Sequence, residues 1–158
     1  PARAMSRSTT RCDLATVDRE RLDRGLDFNL YYGLAHYHDL ARAMRVRVVG
    51  GPRDGQLLYE SRTSVGDPAG QTFAPPVSLT GATGLSLECE FNNPRDRAVG
   101  YGVGDQEMCI FLGFTDSPLQ WAARAPQRER STAGDTTGGV QEFTAPCSEV
   151  YALNGHGE

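Results

Sequence analysis

The chain has 158 residues and a mass of 17.2 kDa, which suits one domain built around one hydrophobic core. Hydrophobic residues make up 39% and charged residues 23%, and no apolar run approaches the length of a membrane span. The net charge is −4 and the 16 basic residues, all of them Arg, form no dense cluster, which argues against a nucleic-acid-binding platform. The 18 Gly and 9 Pro indicate frequent turns and disfavour a helical bundle.

Alternation of apolar and polar residues predicts a series of short strands separated by turns. A Pro-Arg-Asp-Gly turn at 52–55 predicts a hairpin, and segments 64–76 and 131–139 have the composition of loops. The first 26 residues are polar and rich in Arg, so we expect an extension over 1–26, packed on or tethered to a domain over 27–158. The predicted strands lie, in chain order, at 27–38, 43–51 and 56–61, on both sides of a turn at 81–84, and at 107–118.

The overall pattern indicates an all-β fold. Residues 17–25 are densely charged and indicate a short helical turn or a solvated loop, and the sequence has no long amphipathic helix. Short strands with frequent turns are typical of an antiparallel β-sandwich, which is the fold class that we predict.

Four cysteines, Cys12, Cys89, Cys109 and Cys147, occur without the Cys-x-x-Cys spacing of a zinc ribbon or a redox dithiol. An even number in this pattern favours two disulfides, and disulfides persist in oxidising compartments. The chain begins at Pro1 without Met and without an apolar signal segment, so we expect a processed piece of an exported protein. The expected location is secreted, periplasmic or at the cell surface.

Two of the three histidines, His36 and His38, fall in the predicted strand at 27–38. Side chains repeat every two residues along a strand, so both imidazoles face the same side, with their backbones roughly 6.5–7 Å apart. Two such rings can converge on one metal ion. The alternative is two polar residues on the solvent face of a strand, and the His-x-His pattern alone favours this plainer interpretation.

Met108 changes this comparison. It precedes Cys109, and strand alternation places the two side chains on opposite faces. If Cys109 is buried in a disulfide, Met108 faces outward like the histidines. A thioether with two imidazoles suits Cu(I) and still holds Cu(II), whereas zinc sites rarely contain Met. The alternative is a core methionine in a strand of the opposite phase.

Three motifs follow one another in order: His-Tyr-His at 36–38, Cys-Glu-Phe-Asn-Asn-Pro-Arg-Asp-Arg at 89–97 and Gly-Val-Gly-Asp-Gln-Glu-Met-Cys at 102–109. The ordered set resembles the C-terminal domain of the copper type II ascorbate-dependent monooxygenases, the family of peptidylglycine α-hydroxylating and dopamine β-monooxygenases. The resemblance runs from about Asn29 to Pro118, and the 70-residue gap between the second His and the Met also fits the family.

The resemblance implies a jelly-roll β-sandwich of about eight antiparallel strands, with one copper ion per chain and ascorbate or another reductant. At this copper, the family activates dioxygen and hydroxylates a C–H bond. The implied ligands are His36, His38 and Met108. The implied disulfides are Cys89–Cys109, beside the Met, and Cys12–Cys147. Asp39 and Asp105 flank the ligand segments and are candidate acceptors for imidazole N–H groups, although ordinary turn acids are the slightly favoured alternative.

The sequence also departs from the family. The two-domain enzymes hold a second copper on three His of an N-terminal domain, which delivers an electron, whereas only His156 remains here and we expect it to be a solvated tail residue. Peptide-hydroxylating members have an Arg two positions before the first His, and a Tyr and an Asn just after Glu-Met-Cys. Those positions hold Leu34, Leu112 and Ile110, so a peptide carboxylate would find no positive partner and peptidylglycine is disfavoured as the substrate.

The leading hypothesis is therefore an oxygen-activating copper monooxygenase domain. It would act on a small-molecule or peptide substrate, either with an N-terminal copper domain of the same precursor or as a stand-alone relative. Two alternatives stay open: a secreted sandwich that binds copper without turnover, and an adhesion or filament-forming sandwich with a vestigial site. We expect no nucleic-acid partner and no membrane span, and the Gly-rich loops are compatible with a homo-oligomer.

Overall fold

The computed structural model describes residues 1–62, 70–124 and 131–153. Within these residues the chain forms two β-sheets and one short α-helix, which confirms an all-β sandwich. The described residues contain eleven strands, and the expected count of about eight strands and the jelly-roll order are not confirmed.

The elements, in chain order, are β1 Ala4–Cys12, α1 Leu14–Leu22, β2 Asn29–His36, β3 Ala41–Val49, a 3₁₀ turn Gly51–Arg53, β4 Leu57–Ser61, β5 Gln71–Ser78, β6 Gly84–Asn93, β7 Ile110–Thr115, β8 Leu119–Arg124, β9 Thr132–Thr137, β10 Val140–Pro146 and β11 Ser148–Leu153.

Sheet A has the strand order β4-β3-β6-β1-β10-β9, and sheet B has the order β11-β8-β7-β2-β5. Every pair is antiparallel except β1 with β10, which is parallel. Residues 1–26, expected as an extension, contribute the strand β1 that lies between β6 and β10 inside sheet A. The charged stretch that follows β1 forms α1, which begins at an Asp13 cap whose carboxylate accepts a hydrogen bond from the Thr16 N–H (3.0 Å).

Two segments predicted as loops each contain part or all of a β-strand. Most of 131–139 is β9, a fully exposed edge strand that pairs with β10 through a turn at Gly138 and Gly139. The end of 64–76 belongs to β5, the edge strand of sheet B, while residues 63–69 lie outside the described part. Both strands have weak intrinsic β-propensity, so pairing with a neighbour determines their conformation.

The core lies between the sheets, where large side chains from both are fully buried. Gly33 on β2 is required there, because a Cβ at this position would lie 2.5 Å from the Phe111 ring of β7. The structure joins Cys89 to Cys109 and Cys12 to Cys147, the pairs that the resemblance implies. Cys89 lies on β6 in sheet A and Cys109 immediately precedes β7 in sheet B, so this bridge crosses the core.

The outer face of sheet A is charged. Arg45 on β3 bonds Glu60 on β4 (2.8 Å) and both Glu88 (2.5 Å) and Glu90 (2.8 Å) on β6. Arg7 on β1 bonds Glu90 (2.9 Å) and also Glu142 on β10 (2.9 Å). These residues form an ionic ladder across five adjacent strands, with charge of alternating sign on successive strands.

Candidate functional site

The two sequence-predicted histidines lie together at the end of β2. His36 is the last residue of the strand, and His38 follows it after the fully buried Tyr37. Both histidines are half-buried, and their ring centroids lie 5.4 Å apart with the rings nearly perpendicular. The two imidazoles therefore lie side by side, although His38 lies just beyond the end of the strand.

The orientation of the His38 ring is fixed by the loop that precedes β7. Its Nδ1 lies 2.7 Å from the backbone carbonyl oxygen of Gln106. A carbonyl can only accept, so Nδ1 is the protonated nitrogen and donates this bond. In the neutral ring the lone pair then lies on Nε2, which is the arrangement typical of a metal-binding histidine whose other nitrogen is held by a carbonyl.

Glu107 holds the segment that carries the two histidines against the segment that carries Met108. The sequence pattern did not identify this residue. Its carboxylate is 8% exposed and accepts two backbone hydrogen bonds, from His38 N–H (3.0 Å) and from Leu40 N–H (2.7 Å). The only sequence signal was an acidic residue at the start of an apolar strand, where a carboxylate needs a partner if it is buried. Glu107 therefore fixes the backbone of His38 beside that of Met108.

Met108 lies in the same short segment. β2 and β7 are paired with His36 opposite Ile110, and continuing this register by two residues would place Met108 opposite His38. Met108 is half-buried, and the next residue, Cys109, is anchored to β6 by its disulfide. Met108 also lines a cavity beside sheet A.

An apolar strip extends from the histidines along the outer face of sheet B. The strip consists of side chains from directly opposed residue pairs on β2 and β7, and the last of these pairs is His36–Ile110. Tyr32 and Phe114 make an edge-to-face contact with ring centroids 5.6 Å apart, and the Phe114 side chain is 59% exposed. The members of the apolar strip are Tyr32, Leu34, Ile110, Leu112 and Phe114.

The histidine geometry fits a single metal ion. A metal–nitrogen bond of about 2 Å puts each imidazole centroid about 3 Å from the ion, so two ligating rings have centroids at most about 6 Å apart. The observed 5.4 Å lies inside this limit. If Met108 joined the two imidazoles, the donor set would be soft, and such a set favours copper over zinc or magnesium.

The acceptor for the His38 ring is the Gln106 carbonyl and neither of the two candidate acidic residues. Asp105 instead interacts with Gln106 and Arg97, and hydrogen bonds from these two side chains lower its pKa. The backbone carbonyl of Asp39 accepts a hydrogen bond from Arg42 (3.1 Å). His156, expected in a solvated tail, lies outside the described residues.

Within the described ranges no group of three or more His, Cys, Asp and Glu side chains is placed to hold a metal ion. A ligand set of two His and one Met falls outside that definition. In the same residues no helix is both long and apolar enough to cross a bilayer. Comparisons with protein-family models, curated proteins and solved structures gave no match to this chain.

Proposed function

We propose that this chain is the copper-binding domain of an ascorbate-dependent type of monooxygenase, with a jelly-roll sandwich that presents His36, His38 and Met108 to one copper ion. The observation that carries the proposal is the histidine pair, with rings 5.4 Å apart and the His38 Nδ1 bonded to the Gln106 carbonyl. Bound copper would supply the one-electron redox chemistry that activates dioxygen. The two disulfides are consistent with a secreted, periplasmic or cell-surface location.

The protein's own groups define how the ligands are held. The Gln106 carbonyl keeps the His38 proton on Nδ1, which directs Nε2 towards the site. The Glu107 carboxylate fixes the backbone at His38, and the Cys89–Cys109 bridge fixes the residue after Met108. Ligands supported in this way need little reorganisation when a metal binds.

The surroundings of the histidines favour an apolar substrate. The apolar strip leads directly to His36. Three of its members, Leu34, Leu112 and Ile110, occupy the positions where peptide-hydroxylating enzymes have Arg, Tyr and Asn. A substrate with a hydrocarbon or aromatic C–H group would bury apolar surface there, whereas a carboxylate would lose its hydration without gaining a positive partner.

The overall reaction converts a C–H bond, dioxygen, two electrons and two protons into a C–OH group and one water. A reductant such as ascorbate supplies both electrons one at a time, and an N-terminal copper domain of the same precursor is the proposed route for one of them. The chain's sequence contains only one further histidine, His156, which is too few for a second three-His site.

The test is copper binding by isothermal titration and elemental analysis. We expect one copper per chain in the wild type, a loss of most of the affinity in His36→Ala and His38→Ala, and no change in His156→Ala, which serves as the matched control. Met108→Ala should weaken Cu(I) far more than Cu(II), because a thioether prefers the softer ion. Equal stoichiometry in the triple variant His36→Ala, His38→Ala, Met108→Ala would refute the ligand assignment.

A copper-binding domain without turnover is the second candidate, and the histidine count favours it. With no second three-His site in this chain, a single copper can accept or give one electron only, which suits storage or delivery of the metal. The two candidates predict the same metal content and differ in whether the copper-loaded chain oxygenates a substrate.

A further inference from the structure

A cavity of about 240 Å³ lies against the inward face of sheet A and the loop that contains residues 99–101 and 107–109. Ser8 is paired with Cys89, whose disulfide crosses the core, so Ser8 and its strand neighbour Ser6 face inward with it. Phe91 and Asn93 on β6 and Phe143 on β10 also line the cavity, and the loop residues Val99 to Tyr101 complete its wall.

The walls of this cavity are mostly apolar, and no Arg, Lys or His side chain of the described residues lines it. Leu40, Phe91, Val99 and Phe143 provide apolar surface. The charged side chain that lines it is Glu107, and both of its carboxylate oxygens already accept backbone hydrogen bonds. An anion would therefore meet a carboxylate and no cationic side chain, which disfavours its binding.

Two hydroxyl groups in the cavity lack partners. Among the described residues, neither Ser6 nor Ser8 has a side-chain hydrogen bond, whereas Thr10, the next inward residue of β1, bonds the Ala145 carbonyl (2.7 Å). Small polar residues at inward positions of a central strand lose apolar burial and leave unfilled space. Ser6 and Ser8 are only half-buried, so their hydroxyls stay accessible, and a ligand that fills the space can bond one of them.

We propose that this cavity binds a small neutral aromatic molecule that carries a hydroxyl or carbonyl group. A cavity of about 150 Å³ accommodates benzene, so 240 Å³ corresponds to roughly ten non-hydrogen atoms. The aromatic body would pack against Phe91 and Phe143, and its polar group would bond Ser6 or Ser8. Met108, a proposed copper ligand, also lines this cavity, but binding of the aromatic molecule does not depend on copper.

The test uses three probes of similar size on the metal-free full chain: 4-propylphenol, propylbenzene and 4-propylbenzoate. We expect saturable binding of one 4-propylphenol per chain by calorimetry and NMR, at least about tenfold weaker binding of propylbenzene, and none of the carboxylate. Ser8→Ala should reduce the preference for the phenol over the hydrocarbon several-fold.

Ser8→Leu and Val99→Trp are two independent variants that fill the cavity from its floor and from its loop. Both should lower the phenol affinity at least about tenfold. Ser86→Ala, on the outer face of the same sheet, is the matched control and should bind like the wild type. No saturable binding by the wild type, equal binding of phenol and benzoate, or undiminished binding in a folded filling variant would each overturn the proposal.

Discussion

Among single residues, Glu107 has a large effect on the backbone around the candidate site. One buried carboxylate accepts the N–H groups of His38 and Leu40, where β2 has ended and the sheet no longer supplies acceptors. Buried backbone donors need partners, so this side chain replaces two bonds of the sheet. It also lies next to Met108, and thus links the backbone at both parts of the candidate ligand set.

Glu107→Gln tests this role. The amide keeps the shape of the carboxylate but replaces one acceptor oxygen with an NH₂ group. That group would face a backbone N–H, so one of the two backbone donors loses its acceptor. We expect a loss of about 1–3 kcal/mol in the free energy of unfolding and a weaker copper affinity. Urea unfolding measures the first and titration the second. Glu20→Gln, exposed on α1, should change neither, and unaltered stability in Glu107→Gln would contradict the bonding described here.

At the scale of elements, the ionic ladder organises sheet A. Arg45 is bonded to three carboxylates on two neighbouring strands, and its side chain is only 15% exposed. Burial of the Glu90 carboxylate acts to raise its pKa, but hydrogen bonds from Arg45 and Arg7 outweigh burial and hold the pKa below its ordinary value. A carboxyl whose pKa is lower in the folded state stabilises the fold above its unfolded pKa, and this contribution is lost as pH falls through the folded value.

Arg45→Met should therefore destabilise the protein at neutral pH by roughly 1–2 kcal/mol, because three carboxylates lose their shared cation. The difference from the wild type should shrink as pH falls through the lowered pKa values of Glu60 and Glu90, since the wild type loses the same contribution when these two carboxylates are protonated. Urea unfolding at a series of pH values measures the effect. Arg47→Met is the control on the same strand, where the side chain is exposed and bonds the Gly55 carbonyl.

Comparison of particular strands shows how far the sequence could predict the fold. The alternation in 43–51 predicted β3, observed at Ala41–Val49, and the His-x-His spacing predicted that the two imidazoles share a face. β1 escaped prediction because its inward positions include Ser6, Ser8 and Thr10, so no apolar period marks the strand. Those same serines line the cavity. The role of Glu107 depends on contacts between distant segments, which local pattern cannot reveal.

At the scale of the whole molecule, the two disulfides have separate roles. The Cys12–Cys147 bridge spans 135 residues and the Cys89–Cys109 bridge spans 20, for which loop-closure entropy gives nearly 5 and about 3 kcal/mol respectively. The double variant Cys12→Ser, Cys147→Ser should lose more stability in urea than Cys89→Ser, Cys109→Ser. Copper affinity should fall only in the second, because that bridge anchors the residue after Met108. The opposite order of copper affinities would argue against this division.

The supply of electrons is also a property of the whole molecule. With O₂ and ascorbate, hydroxylation needs two electrons delivered through a chain that lacks a second three-His site, so we expect slow turnover of a benzylic substrate. Hydrogen peroxide and a C–H bond give C–OH and water with no further electrons, so peroxide should support faster product formation.

The assay compares both oxidants on copper-loaded protein, with catalase as a control and His38→Ala and Met108→Ala as inactive variants. Catalase-insensitive turnover with O₂ and ascorbate that matches the peroxide rate would contradict the need for a second copper. Absence of oxygenation with either oxidant, together with intact copper binding, would support the non-catalytic candidate.

The Cys12–Cys147 bridge also determines how the molecule responds to tension. The bridge joins positions separated by 135 in sequence, so the chain from Cys12 to Cys147 is closed into one covalent ring. If the chain is pulled from outside the two cysteines, the force passes through the sulfur atoms and the residues inside the ring are not extended. At 3.3–3.6 Å per residue, reduction of this bridge would release more than about 400 Å of chain. Under oxidising conditions the histidine pair, which lies inside the ring, is therefore shielded from tension along the backbone.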